Sequence, residues 1–254
     1  MAESFGSDPE RYDRTRPRYP QTLVDRVIAA SPGTDVLDVG IGTGVSAQPF
    51  LAGGCRVLGV EPDERMADFA RQLGFEVEVA KFEEWDATGR TFDAIISGQA
   101  WHWVAPVVGA AKAAEVLRPG GLLAAFWNVF QPPPDLAEAF AAVYRQVLPG
   151  SPFFRATVPG IDAYSGLLDR AVDGVRAAGA FGEPERWEFD WECSYTRGEW
   201  LDLVPTSGGH SNFPPGKLDE LLAGIGAAID AVGGRFTMGY TAVLLTAATQ
   251  GVGA

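Results

Sequence analysis

The sequence predicts an α/β fold in which helices pack on both faces of a parallel sheet. Short apolar, β-branched runs alternate with helix-length segments over the first half of the chain, as in strands joined by crossover helices. The 254 residues are 46% hydrophobic and 21% charged, which is typical of a globular protein with a large core. We therefore expect a single domain over residues 1–254.

The first half of the chain contains five predicted strands. Apolar residues at helical spacing predict a helix over residues 21–30, and Ser31-Pro32-Gly33 ends it. The first four strands are predicted at residues 36–39, 56–60, 76–80 and 92–96. Residues 117–121 indicate a helix end and a turn, which lead into a fifth strand over residues 122–127. This strand is apolar throughout, as expected of a strand buried on both faces.

The alternation of predicted strands and helices ends after Asn128. We expect residues 128–185 to form a helical lid inserted into the domain, without strands and rich in aromatic residues. Those aromatics are Phe140, Tyr144, Phe153, Phe154 and Tyr164. Alternating apolar and polar residues over 187–195 then predict an antiparallel strand. A helix over 218–232 and a last strand over 236–246 complete the chain.

Composition excludes several classes of partner. Lys and Arg total 20 against 33 Asp and Glu, so the net charge of −13 disfavours nucleic acid and anionic membranes. Cys55 and Cys193 have no metal-ligand spacing, so we expect no metal site, and reduced thiols fit a cytoplasmic protein. No apolar run is long enough to span a bilayer.

A glycine-rich turn directly follows the first strand. Gly40-Ile41-Gly42-Thr43-Gly44 lets the backbone approach a ligand closely at the carboxyl edge of the sheet. Glu61 closes the second strand, 21 positions after Gly40, where a carboxylate can accept both hydroxyls of a ribose. The pattern therefore predicts a site for a nucleoside-containing ligand.

Asp38 distinguishes between two such ligands. A dinucleotide places its pyrophosphate at this turn, where a carboxylate two residues before the first glycine would repel it. The third glycine of the dinucleotide pattern is also missing, because position 45 is Val45. S-adenosylmethionine instead presents an ammonium group, which Asp38 can bind.

The chain resembles the class I S-adenosylmethionine-dependent methyltransferases over nearly its whole length. The resemblance rests on residues 38–44, Glu61-Pro62, residues 92–96 and residues 117–121. It is greatest for the small-molecule branch that includes trans-aconitate and ubiquinone-biosynthesis methyltransferases, because of the opening over residues 12–20 and the pair His102-Trp103. The resemblance implies a Rossmann-like, doubly wound sheet of seven strands with the last strand antiparallel. It also implies S-adenosylmethionine as cofactor and a small-molecule acceptor.

The resemblance also implies roles for individual residues. Asp38 and the backbone of residues 40–42 would hold the methionine moiety, Glu61 the ribose and Met66 one face of the adenine. Where the family often has Asp after the third strand, this chain has Ala80-Lys81-Phe82-Glu83, which leaves the Phe82 backbone for the adenine. The complete set of predicted cofactor-binding residues is Asp38, Gly40, Ile41, Gly42, Glu61, Pro62, Met66, Phe82, Ser97, Arg16 and Tyr19.

Four arginines lie close together near the N-terminus, at positions 11, 14, 16 and 18. They fit a solvated charge run, an anion-binding arm, or a segment folded across the cofactor's carboxylate. In the last case, which the resemblance implies, Arg16 and Tyr19 lie at the cofactor.

Candidate acceptor-side residues follow the fourth strand. His102 can be a general base or a packed wall residue, and Gln99 is a second catalytic candidate. Trp103 is a candidate substrate contact. His210, in a glycine-containing loop, is a surface residue or a further substrate contact.

The leading hypothesis is methyl transfer from S-adenosylmethionine to a small molecule. The alternatives are a nicotinamide-dependent oxidoreductase and a protein that binds S-adenosylmethionine without catalysis. Fold alone does not separate binding from turnover. The sequence does not distinguish a monomer from a homodimer, and it leaves the atom that is methylated open.

Overall fold

A central sheet organises the molecule. The structure is a computed structural model that describes residues 6–149, 161–210, 213–214 and 216–250, except for the side chains of 161–163. Within those residues the strands are β1 Asp35–Val39, β2 Arg56–Glu61, β3 Glu76–Val79, β4 Phe92–Gly98, β5 Leu117–Gln131, β6 Glu185–Thr196 and β7 Arg235–Ala248. The α-helices are α1 Pro9–Thr15, α2 Gln21–Ala30, α3 Gln48–Ala52, α4 Glu64–Gln72, α5 Pro106–Val116, α6 Pro134–Val147, α7 Ile161–Ala178, α8 Arg197–Leu203 and α9 Lys217–Ala231.

The strand order is β3-β2-β1-β4-β5-β7-β6. Strands β1 to β5 are parallel, whereas β7 runs antiparallel to both β5 and β6. The predicted seven-stranded sheet with its last strand antiparallel is therefore confirmed. The order reverses between β1 and β4, and the carboxyl ends of strands at such a reversal open a crevice where ligands bind.

Apolar residues cover both faces of the sheet. On one face, α5 and α7 pack over a cluster that includes Leu37, Ile95 and Leu123. On the other face, α2 and α3 pack over a cluster that includes Ala94 and Ile96. The central strands are consequently buried on both sides, which explains why their sequences are apolar without alternation.

The start of β5 differs from the prediction. Residues 117–121 were expected to end a helix and turn, but they already belong to β5. The pairing with β4 passes from Phe92–Leu117 to Ala94–Leu122, so the four residues 118–121 of β5 stand against Asp93 alone of β4. Gly120, one of these extra residues, has a φ of +76°. The expected turn is therefore a bulge inside the strand.

The segment predicted as a lid over residues 128–185 is divided in the structure. The segment does not leave the sheet at Asn128 as predicted, because β5 pairs with the long strand β7 as far as Gln131. Helix α6 then packs with α8 and α9 over the ends of β6 and β7, and we call these three helices the cap. Helix α7 instead buries Leu168, Ala171 and Val175 against the sheet.

The predicted lid aromatics are divided in the same way. Phe140 and Tyr144 belong to the cap, whereas Tyr164 packs with the cluster on the sheet face. Phe153 and Phe154 lie outside the described residues. In the part of the chain that the structure describes, no helix is both long and apolar enough to cross a membrane.

Candidate functional site

Residues 40–44, the glycine loop, leave β1 in a conformation that glycine adopts most easily. The φ angles of Gly40, Gly42 and Gly44 are +72°, +57° and +96°. The amide of Gly40 donates to the carbonyl oxygen of Val60 at 2.8 Å, which fixes the loop to β2. A Cβ on Gly40 would lie 2.4 Å from the Cβ of Ala100, so glycine is also needed where the ends of β1 and β4 approach each other.

The Asp38 side chain is completely buried beside the glycine loop. Its Oδ2 accepts a hydrogen bond from the Ser46 hydroxyl at 2.8 Å, but its Oδ1 has no partner among the described residues. Burial, assisted by the charge of Glu61, raises the pKa of Asp38 to about 7. A buried carboxylate oxygen without a hydrogen bond is costly, so the geometry fits a ligand that supplies a cationic donor there.

Glu61 is held by two backbone amides at the end of β2. Its Oε2 accepts from the amide of Gly42, and its Oε1 accepts from the amide of Asp63, each at 2.9 Å. Burial raises the pKa of Glu61. Pro62 separates the two strand-end carboxylates, and Asp63 caps α4. Since a carboxylate oxygen can accept more than one hydrogen bond, both oxygens of Glu61 retain capacity for hydroxyl groups.

A pocket of about 480 Å³, including its open mouth, lies beside the glycine loop. Its walls come from the glycine loop, the ends of β4 and β5, and residues 9–20, which we call the N-terminal arm. The predicted residues that it brings together are Arg16, Tyr19, Gly40, Ile41, Gly42 and Gln99.

The arginines of the N-terminal arm connect it to the cap. Arg11 and Arg14 each form an ion pair with Asp202 of α8, at 2.8 Å in both cases. Arg16 donates to the backbone carbonyl of Thr206. Arg18 pairs with Asp13 at 3.3 Å. The cluster is therefore divided: Arg16 lines the pocket, whereas the side chains of Arg14 and Arg18 are more than half exposed.

Six predicted cofactor residues do not line the pocket. They are Asp38, Glu61 and Pro62, described above, and Met66, Phe82 and Ser97. Met66 of α4 is buried, and its Cε would lie 3.5 Å from a Cβ on Gly42. Phe82 packs against Trp101 with ring centroids 6.1 Å apart. The hydroxyl of Ser97 donates to the carbonyl of Val39 at 2.8 Å, so this side chain ties β4 to β1.

His102 and Trp103 do not reach the pocket. His102 lines a separate groove of about 250 Å³ against α7, on the sheet face that α5 and α7 cover. Its Nδ1 accepts from Nε1 of Trp127 at 3.2 Å. Burial, with a smaller contribution from the charge of Arg170, lowers the pKa of His102 to about 4. Trp103 is 45% exposed.

His210 is buried in the cap, which excludes the interpretation as a surface histidine. Its Nδ1 lies 3.0 Å from the carbonyl oxygen of Ser207, and that oxygen can only accept. Nδ1 therefore carries the proton, and Nε2 accepts from the hydroxyl of Tyr144 at 2.9 Å. Burial lowers the pKa of His210.

Sequence reasoning missed several residues of the pocket wall. Asn128 and Phe130, from the end of β5, line it together with Tyr12. Asn128 is 1% exposed, and its side-chain amide donates to the carbonyl of Arg18 at 3.3 Å. A polar residue ending the apolar run of β5 was the one available signal. Among the described residues, no group of His, Cys, Asp and Glu side chains could hold a metal ion.

Part of the chain is similar to known methyltransferases. Residues 37–125 match the family model described as a methyltransferase domain. An uncharacterized methyltransferase of Mycobacterium tuberculosis strain H37Rv is 38% identical over 131 residues, which cover 50% of this chain and 53% of that protein. The chain thus matches about half the length of this relative. An uncharacterized methyltransferase of Schizosaccharomyces pombe is 27% identical over 239 residues, covering 85% of this chain and 86% of its own length.

A solved structure extends the similarity to the fold. It is that of a proposed type II methyltransferase of Anaeromyxobacter dehalogenans, with a TM-score of 0.65 and 23% identity. The match covers 92% of this chain and 97% of the other. Residues 37–125 are thus similar to a methyltransferase domain, and the chain as a whole has the fold of that solved structure.

Proposed function

We propose that the chain binds S-adenosylmethionine beside the glycine loop and transfers its methyl group to a small-molecule acceptor. One observation carries the proposal: within the described part of the chain, the buried Oδ1 of Asp38 has no partner, and it lies next to a loop whose glycines have positive φ. This arrangement suits an ammonium group bound close to backbone. When bound, the cofactor supplies a methyl group already activated on a sulfonium.

Eight of the eleven predicted cofactor residues have a place in this proposal. Asp38 and the backbone of residues 40–42 hold the methionine amino group. Glu61, oriented by two amides, accepts the ribose hydroxyls. Met66 offers an apolar surface to the adenine, while Arg16 and Tyr19 approach the carboxylate end from the N-terminal arm.

The chain contributes orientation and exclusion of water. The described pocket wall consists of backbone, aliphatic, aromatic, amide and hydroxyl groups with one guanidinium, and it includes no Asp, Glu, His, Cys or Lys. Positioning alone supplies a large part of the acceleration when two reactants are held together. The net charge of −13 favours a small molecule over nucleic acid as the acceptor.

The nicotinamide alternative is disfavoured by the same carboxylate. Asp38 would lie beside the pyrophosphate of a dinucleotide, where a buried negative charge is repulsive.

Calorimetric titration with S-adenosylmethionine, its demethylated product S-adenosylhomocysteine and NAD tests the proposal. We expect the first two to bind and Asp38→Asn to weaken both about 10- to 150-fold, because a charge-assisted hydrogen bond is lost. The melting temperature should not fall, since Asn can still accept from Ser46. Asp93→Asn is the matched control: Asp93 is also buried, but it accepts from the amide of Asp35 at the opposite strand end. The proposal fails if NAD alone binds or if Asp38→Asn binds S-adenosylhomocysteine as tightly as the wild type.

A further inference from the structure

Ser46 lies between the glycine loop and α3, and it is buried. Its hydroxyl donates to Oδ2 of Asp38 at 2.8 Å. Within the part of the chain that the structure describes, this is the one hydrogen bond of the Asp38 carboxylate, because Oδ1 has no partner. Ser46 also lines the pocket, whereas Asp38 does not. The serine therefore connects the buried carboxylate to the ligand site.

The surrounding structure limits how far Ser46 can move. A Cβ on Gly98, at the end of β4, would lie 2.7 Å from the Cβ of Ser46, so the two residues are in close contact. The amide of Gln48 donates to the carbonyl oxygen of Gly44 at 2.9 Å, which closes the turn that carries Ser46. Because the serine is held from both sides, its hydrogen bond also fixes the plane of the Asp38 carboxylate.

The same hydrogen bond affects the charge of Asp38, because a donor to a carboxylate favours its ionised form. Burial raises the pKa of Asp38, the bond from Ser46 opposes this effect, and the charge of Glu61 adds to it, which leaves the pKa at about 7. Loss of the Ser46 hydroxyl should raise this pKa further. Asp38 would then hold its proton at neutral pH, and a protonated carboxyl group does not form an ion pair with an ammonium group.

Three other ionisable groups surround this carboxylate and the pocket. Glu61 belongs to β2, and burial raises its pKa. Tyr19 and Arg16 come from the N-terminal arm. Burial raises the pKa of Tyr19 well above its ordinary value, so Tyr19 is neutral between pH 6 and pH 8, whereas Arg16 is charged throughout this range. Asp38→Asn therefore distinguishes the titration of Asp38 from that of Glu61.

We propose that Ser46 is a positioning residue for the cofactor: it fixes the Asp38 carboxylate, keeps it ionised at neutral pH and leaves Oδ1 available to the ammonium group of S-adenosylmethionine. This inference rests on the proposed function. A serine hydroxyl suits this role because it donates a hydrogen bond without adding a charge. The negative charge of Asp38 thus remains available to the ligand.

The titration of Asp38 in the full chain without ligand tests the effect of Ser46 on the carboxylate. It is followed by the carbon-13 chemical shift of the carboxyl carbon, whose signal is identified by its loss in Asp38→Asn. We expect a wild-type pKa of about 7 and a pKa at least about one pH unit higher in Ser46→Ala, the scale of one hydrogen bond to a charged group. Ser46→Cys should shift the pKa in the same direction, because a thiol is a weak donor.

The affinity for S-adenosylhomocysteine tests the effect on the ligand. Binding to the ionised carboxylate must first remove the proton, and this cost grows as the pH falls below the pKa. The Kd of Ser46→Ala divided by the Kd of the wild type should therefore be about fivefold larger at pH 6 than at pH 8. A serine needed only for folding would change the Kd by the same factor at both pH values.

Thr246→Val is the matched control. It also removes a buried hydroxyl, but that hydroxyl donates to the backbone carbonyl of Glu185 rather than to a carboxylate. Its Kd relative to the wild type should be the same at pH 6 and pH 8. Adding Ser46→Ala to Asp38→Asn should likewise introduce no pH dependence, since the group that titrates is already absent.

The inference is overturned if Asp38 titrates at the wild-type pH in both Ser46 variants, if the ratio of Kd values is constant between pH 6 and pH 8, or if neither variant folds. Failure of the wild type to bind S-adenosylhomocysteine contradicts the proposed function. Normal wild-type binding combined with an unchanged pKa of Asp38 in the variants contradicts only this inference.

Discussion

Asp38 reduces the stability of the folded chain at neutral pH, which is typical of a residue kept for ligand binding. Its folded-state pKa of about 7 lies above the ordinary value of 3.8. Between these two pH values the folded chain holds a proton that the unfolded chain has released. The carboxyl therefore lowers the free energy of unfolding as the pH rises through that window.

The same pKa predicts how cofactor affinity depends on pH. An ammonium group binds the ionised carboxylate, so binding below pH 7 must first remove a proton from Asp38. We expect the Kd for S-adenosylhomocysteine to be about tenfold larger at pH 6 than at pH 8. Calorimetry across this range measures it, with Asp38→Asn as the control that should show little pH dependence. A wild-type Kd that is constant from pH 6 to pH 8 would contradict the assignment of Asp38.

At the residue scale, local sequence pattern predicted those site residues that lie next to the end of a strand. Asp38, Gly42 and Glu61 each lie within a few residues of a strand terminus, so the sheet brings them together. Local pattern does not show on which face of the sheet the side chains of a turn will lie. The turn at residues 101–103 places His102 in the groove against α7, away from the pocket. Phe130 was missed because its role depends on the packing of β5 against the N-terminal arm.

At the element scale, α1 joins the glycine loop to the cap. Asp13 accepts from the Thr43 hydroxyl at 3.2 Å, whereas Arg11 and Arg14 reach across to Asp202 of α8. Because Asp202 is 34% exposed, each ion pair contributes little to the total stability, but together they hold the arm along the pocket.

We predict that Asp202→Asn loosens this arm without unfolding the chain. Trypsin cleavage after Arg14 should become about two- to fivefold faster, because this factor corresponds to the free energy of losing exposed ion pairs. The melting temperature should change by less than about 2 °C. Asp68→Asn is the matched control, because it removes an exposed pair with Arg71 within α4. Mass spectrometry of the products gives the rates. Equal rates in the two variants would show that Asp202 does not hold the arm.

Helices differ in how well the sequence indicates them. α2 and α9 have clear apolar periodicity and were predicted to within one residue. α8 was missed because it spans seven residues, although its capping box, Thr196 with Glu199, is a signal that sequence reasoning could have used. The sequence could not show that α6 packs in the cap and α7 on the sheet. Both helices are amphipathic, and amphipathicity does not indicate which surface a helix covers.

At the scale of the whole molecule, alternation of strands and helices was sufficient to predict the parallel core. The antiparallel β7 followed from the resemblance rather than from any local pattern. The cap could not be predicted from the sequence, because its helices are distant along the chain. Helix α7 and strand β6 lie between α6 and the other two cap helices, α8 and α9. Contacts between such distant segments depend on tertiary packing rather than on periodicity.

We propose that this fold places Asp38, the glycine loop and Glu61 around one molecule of S-adenosylmethionine. A crystal structure of the chain grown with S-adenosylhomocysteine tests it most directly. We predict the amino group of the ligand within hydrogen-bond distance of Asp38 Oδ1 and both ribose hydroxyls at the carboxylate of Glu61. Ligand density elsewhere on the molecule, with Asp38 Oδ1 still lacking a partner, would contradict the account.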